Sequence, residues 1–426
     1  VLVARNIKPS EALALKDTGI TGIVLEEGGA TSHVAILARS WRIPAVMGVR
    51  GLLSILKDGD EIVLDADSGS VILEPAADQI ASAKSRMIAG RADGAALCGL
   101  ARNPAEPAVT RDGAVMSLRA NIALAREAKE ALSAGAEGIG LFRSEFLFLG
   151  SDALPDEETQ YVAYREAVEA MDGRPVIIRT LDAGGDKMIG EQRDLGEKNP
   201  LLGWRAVRFC LDRRDLFRTQ LRALLRAGVA GDLRVMFPMI SNVEELDAVY
   251  EVLDEAKAEL AREGATFNPD IKTGVMIEIP SAAVCADLLA KRSDFMSIGT
   301  NDLTQYTMAV DRENSRVAHL FDGYNPAVLR LIKATIEAGR QARVDVSICG
   351  EMAGDPEAVF LLMGLGLRNF SMASALLAQV KALIRMVSLA EAEELASAAM
   401  ESASAREIRK MVQGKLKTCE LEGERE

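Results

Sequence analysis

The sequence predicts an α/β protein in which a (β/α)8 barrel, a TIM barrel, is preceded by a small α/β domain. Three observations carry this. The chain has 426 residues, 49% of them apolar, which exceeds one ordinary domain and can fill more than one core. From Gly113 onward, short apolar runs alternate with amphipathic stretches, and eight such units over about 270 residues match the roughly 250 residues of a barrel. The runs are continuously apolar, as parallel strands covered on both faces should be. A doubly wound open sheet is the competing architecture, and the strand count favours the barrel.

Residues 1–75 read as the small domain: apolar strands VLVA, GIVLE and IPAVMG, then DGDEIVLDADSGSVILEP, whose turn residues Lys57-Asp58-Gly59-Asp60 and Asp67-Ser68-Gly69 bracket a hairpin strand. Residues 76–112 read as a linker helix followed by a Pro-containing boundary. Residues 113–388 carry the barrel, with strands expected at 115–122, 138–146, 175–181, 233–240, 273–280, 295–302, 344–352 and 369–372. Residues 389–426 read as a helical, solvated tail.

A formal net charge of −13 argues against nucleic acid or an anionic membrane as partner. Five scattered cysteines without CxxC spacing fit a reducing compartment and no structural zinc. Neither a signal peptide nor a membrane-length apolar run is present, so the expected location is the cytoplasm. The chain enters a strand at once from Val1, which suggests a fragment or a processed product.

One of only two histidines lies in the segment GGATSHVAILAR, Gly28 to Arg39. A Gly-rich turn ending in Thr31 and Ser32 is a helix N-cap, placing His33 in the first turn, where backbone N–H groups and the helix dipole favour an anion such as a phosphoryl group. Alone, such a histidine more often fills space. The barrel strands supply the context, because polar residues at their C-terminal ends form the mouth. Arg143 ends the second strand, Arg179 the third, Glu278 the fifth, Asn301 and Asp302 the sixth, Cys349 and Glu351 the seventh. Arg143, Arg179 and Arg312 present planar cationic forks suited to a phosphate ester. Lys187, after the Gly184-Gly185 turn, adds a positive charge. Glu278 and Asp302 are hard oxygen ligands of the kind Mg2+ prefers, with water and substrate completing the shell. Cys349 reads first as an inert buried thiol, and as a proton donor if the product is an enolate.

With these residues in hand the chain resembles Enzyme I of the phosphoenolpyruvate-dependent phosphotransferase system, the phosphoenolpyruvate–protein phosphotransferase family. GGATSHVAILARSWRIPAVMG resembles the family's phosphohistidine signature. GIGLFRSEFLF, IIRTLDAGGDK and NPLLGWRAVR resemble its substrate-arginine segments, while MIEIPSA, SIGTNDLTQYTMAVDR and ICGEMAG resemble its metal, phosphate and acid-donor segments. The resemblance runs to about Ala375. It implies that His33 is the phosphorylated nucleophile, with Thr31 orienting its ring. It also implies that Arg143, Arg179, Arg312 and Asn301 hold the phosphoryl group, that Arg205 and Lys187 support the anion, that Glu278 and Asp302 bind magnesium, and that Cys349 protonates the enolate. A phosphohistidine domain that swivels, a homodimer formed through the barrel and a histidine phosphocarrier protein as acceptor follow from it as well. Nothing in the chain corresponds to the family's helical carrier-docking subdomain.

Two rivals remain at this point. Pyruvate phosphate dikinase and phosphoenolpyruvate synthase pair a similar histidine loop with a similar barrel but draw on ATP, and no Gly-rich nucleotide signature appears here. A truncated module that senses phosphoenolpyruvate without turning it over is the second.

Overall fold

The computed structural model describes residues 1–7, 11, 15, 18–28, 34–35, 38, 43–66, 68–85, 87, 106–148, 154–183, 197–312, 314 and 316–423. It divides into two compact units, Val1–Arg102 with Ala309–Phe321, and Asn103–Met308 with Asp322–Glu426.

In the first unit, β1 (Leu2–Ala4), β2 (Ile23–Leu25) and β3 (Ala45–Met47) form a parallel sheet in that order. The central strand is buried throughout, with Ile23, Val24 and Leu25 at most 1% exposed. β4 (Ile62–Asp65) and β5 (Ser70–Leu73) form the expected antiparallel hairpin. His33 and Thr31 lie outside the described residues. Val34, Ala35 and Ala38, just beyond them, are helical and buried.

The second unit is the barrel. β6 (Ala108–Val109) pairs antiparallel with the start of β7 (Val115–Ile122). Parallel pairing then runs through β8 (Ile139–Arg143), β9 (Val176–Arg179), β10 (Leu233–Phe237), β11 (Lys272–Ile277), β12 (Phe295–Ile298), β13 (Asp345–Ile348) and β14 (Asn369–Ala373). β14 returns to β7 with Asn369 opposite Ser117, which closes the cylinder. Each strand expected from residue 113 onward is found. Closure also decides against the open sheet.

Two apolar layers hold it. Leu141, Ile177, Met236, Met276, Phe295 and Cys349 form a small cluster of their own, whereas the larger core joins strand residues such as Phe142, Ile178 and Phe237 to the surrounding helices. Burying each such large side chain is worth roughly 1.5–3 kcal/mol. Two of the long outer helices start where a capping residue satisfies a free N–H group. Asp156 accepts from Thr159 N at 2.8 Å ahead of helix Glu157–Ala170, and Asn242 accepts from Glu245 N at 2.8 Å ahead of Val243–Glu263.

The C-terminal helices depart from the expected solvated tail. Leu389–Glu401 buries Ala392, Leu395, Ala396 and Ala399, and Ala405–Gly423 buries Ile408, Val412 and Cys419. Their apolar positions recur at helical spacing among charges, which masks the stripe by composition but not by geometry. Ser388 and Glu391 form a capping box at the start of the first of these helices, and Asp112 accepts from Leu389 N at 2.9 Å and Ala390 N at 3.2 Å. Gly364 permits the close approach of helix Pro356–Gly364, because a Cβ there would stand 1.9 Å from Ala392 O.

Candidate functional site

The mouth is assembled where the strand ladder ends and charged residues begin. Arg143 and Arg179 are opposite each other as the last paired residues of β8 and β9. Their mutual repulsion is answered by carboxylates. Arg179 Nη2 meets Glu145 Oε1 at 2.6 Å and its Nη1 meets Asp182 Oδ2 at 2.7 Å. Arg205 Nη2 meets the other Asp182 oxygen at 2.7 Å and Asp302 Oδ2 at 3.4 Å. Its Nη1 donates to Tyr306 Oη at 3.2 Å. Arg179, Arg205, Glu145, Glu278 and Asp302 are all buried, so this is one continuous ionic chain in a low-dielectric setting, where removing any member leaves an uncompensated charge.

Each charge is tuned by that chain. Burial opposes the Arg179 charge, but Asp182, Glu145 and Glu278 outweigh it and raise its pKa. Burial likewise opposes Arg205, and Asp182 and Asp302 raise it well above the usual value. Arg143 goes the other way: burial and then the neighbouring Arg179 lower its pKa against the pull of Glu145. Glu278 is pushed up from an ordinary 4.5 to about 8, first by burial and then by Asp302 and Asp182.

Glu278 follows β11 and accepts from Met239 N at 2.7 Å. Gly299 makes room for it, since a Cβ at 299 would lie 2.9 Å from Glu278 Oε2. Asp302 and Asn301 were expected at the end of a strand reaching 302. Instead β12 stops at Ile298 and both sit in the first turn of helix Thr300–Met308, because the chain must leave the ladder at Gly299 to begin its crossover. An acidic first turn also complements the helix dipole. The seventh strand is shorter too, ending at Ile348, with Glu351 opening a 3-10 turn. Asn301 Oδ1 accepts from Glu351 N at 3.0 Å and so ties the two crossovers together.

Cys349 lies between them, 3% exposed. Its sulfur accepts from Ser297 Oγ at 3.3 Å, and Asn121 Nδ2 donates to its carbonyl at 3.0 Å. Burial raises the thiol pKa, only partly offset by Ser297 and Arg179. The group is therefore a neutral S–H at physiological pH, able to give up a proton only to a strong base.

Of the site residues expected from sequence, Arg143, Arg179, Arg205, Glu278, Asn301, Asp302 and Cys349 come together at this mouth. Lys187 lies outside the described residues, as does the Gly184-Gly185 turn. Arg312 belongs to the segment Ala309–Phe321, which groups with the first unit. Sequence reasoning passed over Glu145 and Asp182. The signal was present: each is a carboxylate within three residues of a strand-end arginine.

Among the described residues no group of three or more His, Cys, Asp or Glu side chains is placed to hold a metal. Glu278 and Asp302 supply two carboxylates, close enough that Asp302 opposes ionisation of Glu278.

A closed barrel whose rim interleaves buried arginines with carboxylates is built to hold a small polyanion, and this places the chain among barrel enzymes acting on anionic substrates. Comparison with known proteins narrows that class. The PEP-binding domain of PEP-utilising enzymes matches residues 99–389 and the mobile domain of the same enzymes matches residues 1–69. A phosphoenolpyruvate-protein phosphotransferase of Haemophilus influenzae is 45% identical over 97% of this chain and 71% of the relative. Proteins of the same name from Bacillus sp. (strain S) and Staphylococcus carnosus are each 44% identical, over 96% and 97% of this chain and 70% and 72% of their own lengths. The chain belongs to the phosphoenolpyruvate–protein phosphotransferase family of PEP-utilising enzymes.

Proposed function

We propose that this chain is a phosphoenolpyruvate–protein phosphotransferase that moves the phosphoryl group of phosphoenolpyruvate to His33 and releases pyruvate, the first step of a relay to a histidine phosphocarrier protein. The observation that carries the reading is the ionic chain Glu145–Arg179–Asp182–Arg205–Asp302 at the barrel mouth. It surrounds anion-binding guanidinium groups with carboxylates that hold them in place before a substrate arrives.

In this reading Arg143, Arg179, Arg312 and Asn301 grip the phosphoryl group, and Arg205 and Lys187 offset its charge. The His33 imidazole, oriented by Thr31, attacks phosphorus. The N–P bond forms as the P–O bond to the enol oxygen breaks, leaving the enolate of pyruvate. Cys349 then donates its S–H proton to the enolate carbon, and the resulting thiolate takes a proton back from solvent. The raised thiol pKa suits this role, because an enolate is a strong base and the donor must otherwise stay protonated.

The residues present fit magnesium. Glu278 and Asp302 are both buried, and the opposition of Asp302 to ionisation of Glu278 would be relieved by a divalent cation that the two would hold with substrate and water oxygens. When bound, the ion would neutralise charge shared by the phosphate and carboxylate groups. The chain acts in the cytoplasm and as a homodimer through the barrel. No helix among the described residues is long and apolar enough to cross a membrane.

The test is incubation with phosphoenolpyruvate labelled on phosphorus, in magnesium. The chain should acquire an acid-labile label that His33→Ala lacks; equal labelling of the variant would end the assignment.

A further inference from the structure

The backbone ladder between the two arginine strands is irregular in its middle and ends on the charged pair. β8 and β9 pair as Ile139 with Val176, then slip, then resume as Phe142 with Ile178 and Arg143 with Arg179. Beyond that pair no strand pairing joins them, so two like charges sit at the end of an irregular ladder.

Besides the Arg179–Glu145 ion pair, a side chain from the outer layer joins the two segments. Gln220, on helix Arg214–Ala227, is fully buried. Its Oε1 accepts from Leu181 N at 2.9 Å, two residues past Arg179 and next to Asp182. Its Nε2 donates to Ser144 Oγ at 3.0 Å, the residue between Arg143 and Glu145, and to Tyr164 Oη at 3.0 Å. Tyr164 in turn donates to Gln160 Oε1 at 3.2 Å, and Gln160 Nε2 to Pro155 O at 3.0 Å. Ser144, Gln160 and Tyr164 are each at most 1% exposed. A fully satisfied buried polar network in an apolar helix layer specifies one geometry, because any slip leaves an unpaired polar group.

We propose that Gln220 is a positioning residue for phosphoenolpyruvate binding, fixing the spacing of Arg143 and Arg179 by bridging Ser144 and the Leu181 amide. It rests on the assignment of those arginines to the substrate. Gln220 touches no substrate. It sets where Glu145 and Asp182 present the Arg179 guanidinium.

The experiment is calorimetric titration of phosphoenolpyruvate in magnesium buffer, in a His33→Ala background so that no phosphoryl transfer consumes the ligand, into the parent and into Gln220→Met, Ser144→Ala and Gln160→Met, each well below its melting transition. Gln220→Met should raise the dissociation constant roughly tenfold and Ser144→Ala several-fold, since misplaced guanidinium groups lose charge-assisted contacts. Gln160→Met removes only the bonds to Tyr164 and to Pro155 O, at neither strand end. It should lower the melting temperature and leave the constant within about twofold, a separation that a purely structural role for the network would not produce. A folded Gln220→Met that binds as tightly as the parent overturns the inference. If that variant does not fold, Ser144→Ala decides, and an unchanged constant there overturns it. Failure of the parent itself to bind overturns the substrate assignment and the inference with it.

Discussion

The two ends of the same strands carry charges in opposite ways. At the N-terminal end, Asp232 and Arg234 form a two-point pair at 2.9 and 2.6 Å between residues two apart in sequence, and Asp294 accepts from Thr273 N at 2.7 Å. At the C-terminal end the arginines are met by the buried Glu145 and Asp302, 34 and 97 residues away, as well as by Asp182, which lies three residues from Arg179 and 23 from Arg205. A local pair that keeps some solvent contact costs little to form and contributes little. A buried chain of ions assembled from distant segments costs several kcal/mol per charge unless every partner is in place. In the proposed reading the mouth is organised for a ligand, while the opposite rim closes the fold.

The sharpest way to break this comparison is to neutralise one arginine at each end. Arg179→Met should lower kcat/KM for phosphoenolpyruvate by roughly 10²–10³, the scale of losing one positioned donor to developing charge. Arg234→Met should stay within about twofold in activity and cost less than about 1 kcal/mol of stability, measured by urea unfolding. Similar losses from both would erase the distinction.

A second difference appears with pH. Because the Glu278 pKa is raised in the fold, the folded chain holds a proton that the unfolded chain releases between 4.5 and about 8. Stability from this group is complete below 4.5 and is lost as pH rises through about 8. In chelator the melting temperature should therefore fall across that window, and Glu278→Gln should flatten the fall. A parent profile matching the variant's would contradict the burial argument.

Smaller effects sharpen the contrast. Gly299→Ala forces a Cβ to within 2.9 Å of Glu278 Oε2, and should cost about 1–3 kcal/mol together with part of the activity. Ser388→Ala removes half of a capping box far along the chain. It should cost about 1 kcal/mol in thermal unfolding with kcat/KM unchanged.

Much of the barrel was legible in the sequence because parallel strands buried on both faces leave continuous apolar runs, and each run from residue 115 to 373 is a strand. Strand ends were less legible. The expected limits at 302 and 352 overshoot Ile298 and Ile348, because nothing in Gly299-Thr300-Asn301-Asp302 or Cys349-Gly350-Glu351-Met352 marks where ladder hydrogen bonding stops. Arginine and carboxylate positions could be read from their place at strand ends. Which of them pair could not, since Glu145 and Asp182 act through contacts that only the closed cylinder creates. Gln220 was hidden for a related reason: a glutamine on a helix suggests solvent, and its neighbours Leu216, Phe217, Leu221 and Leu224 show a buried face only once the helix is packed.

The central claim is that the barrel mouth passes phosphorus to one imidazole. The most direct measurement mixes the chain with an excess of phosphoenolpyruvate and magnesium, counts pyruvate released in a single turnover, and locates the phosphate by mass spectrometry under alkaline conditions. The account predicts one pyruvate and one phosphate per chain, with the phosphate on His33. Pyruvate without a protein phosphate, or a phosphate on His319, would contradict it.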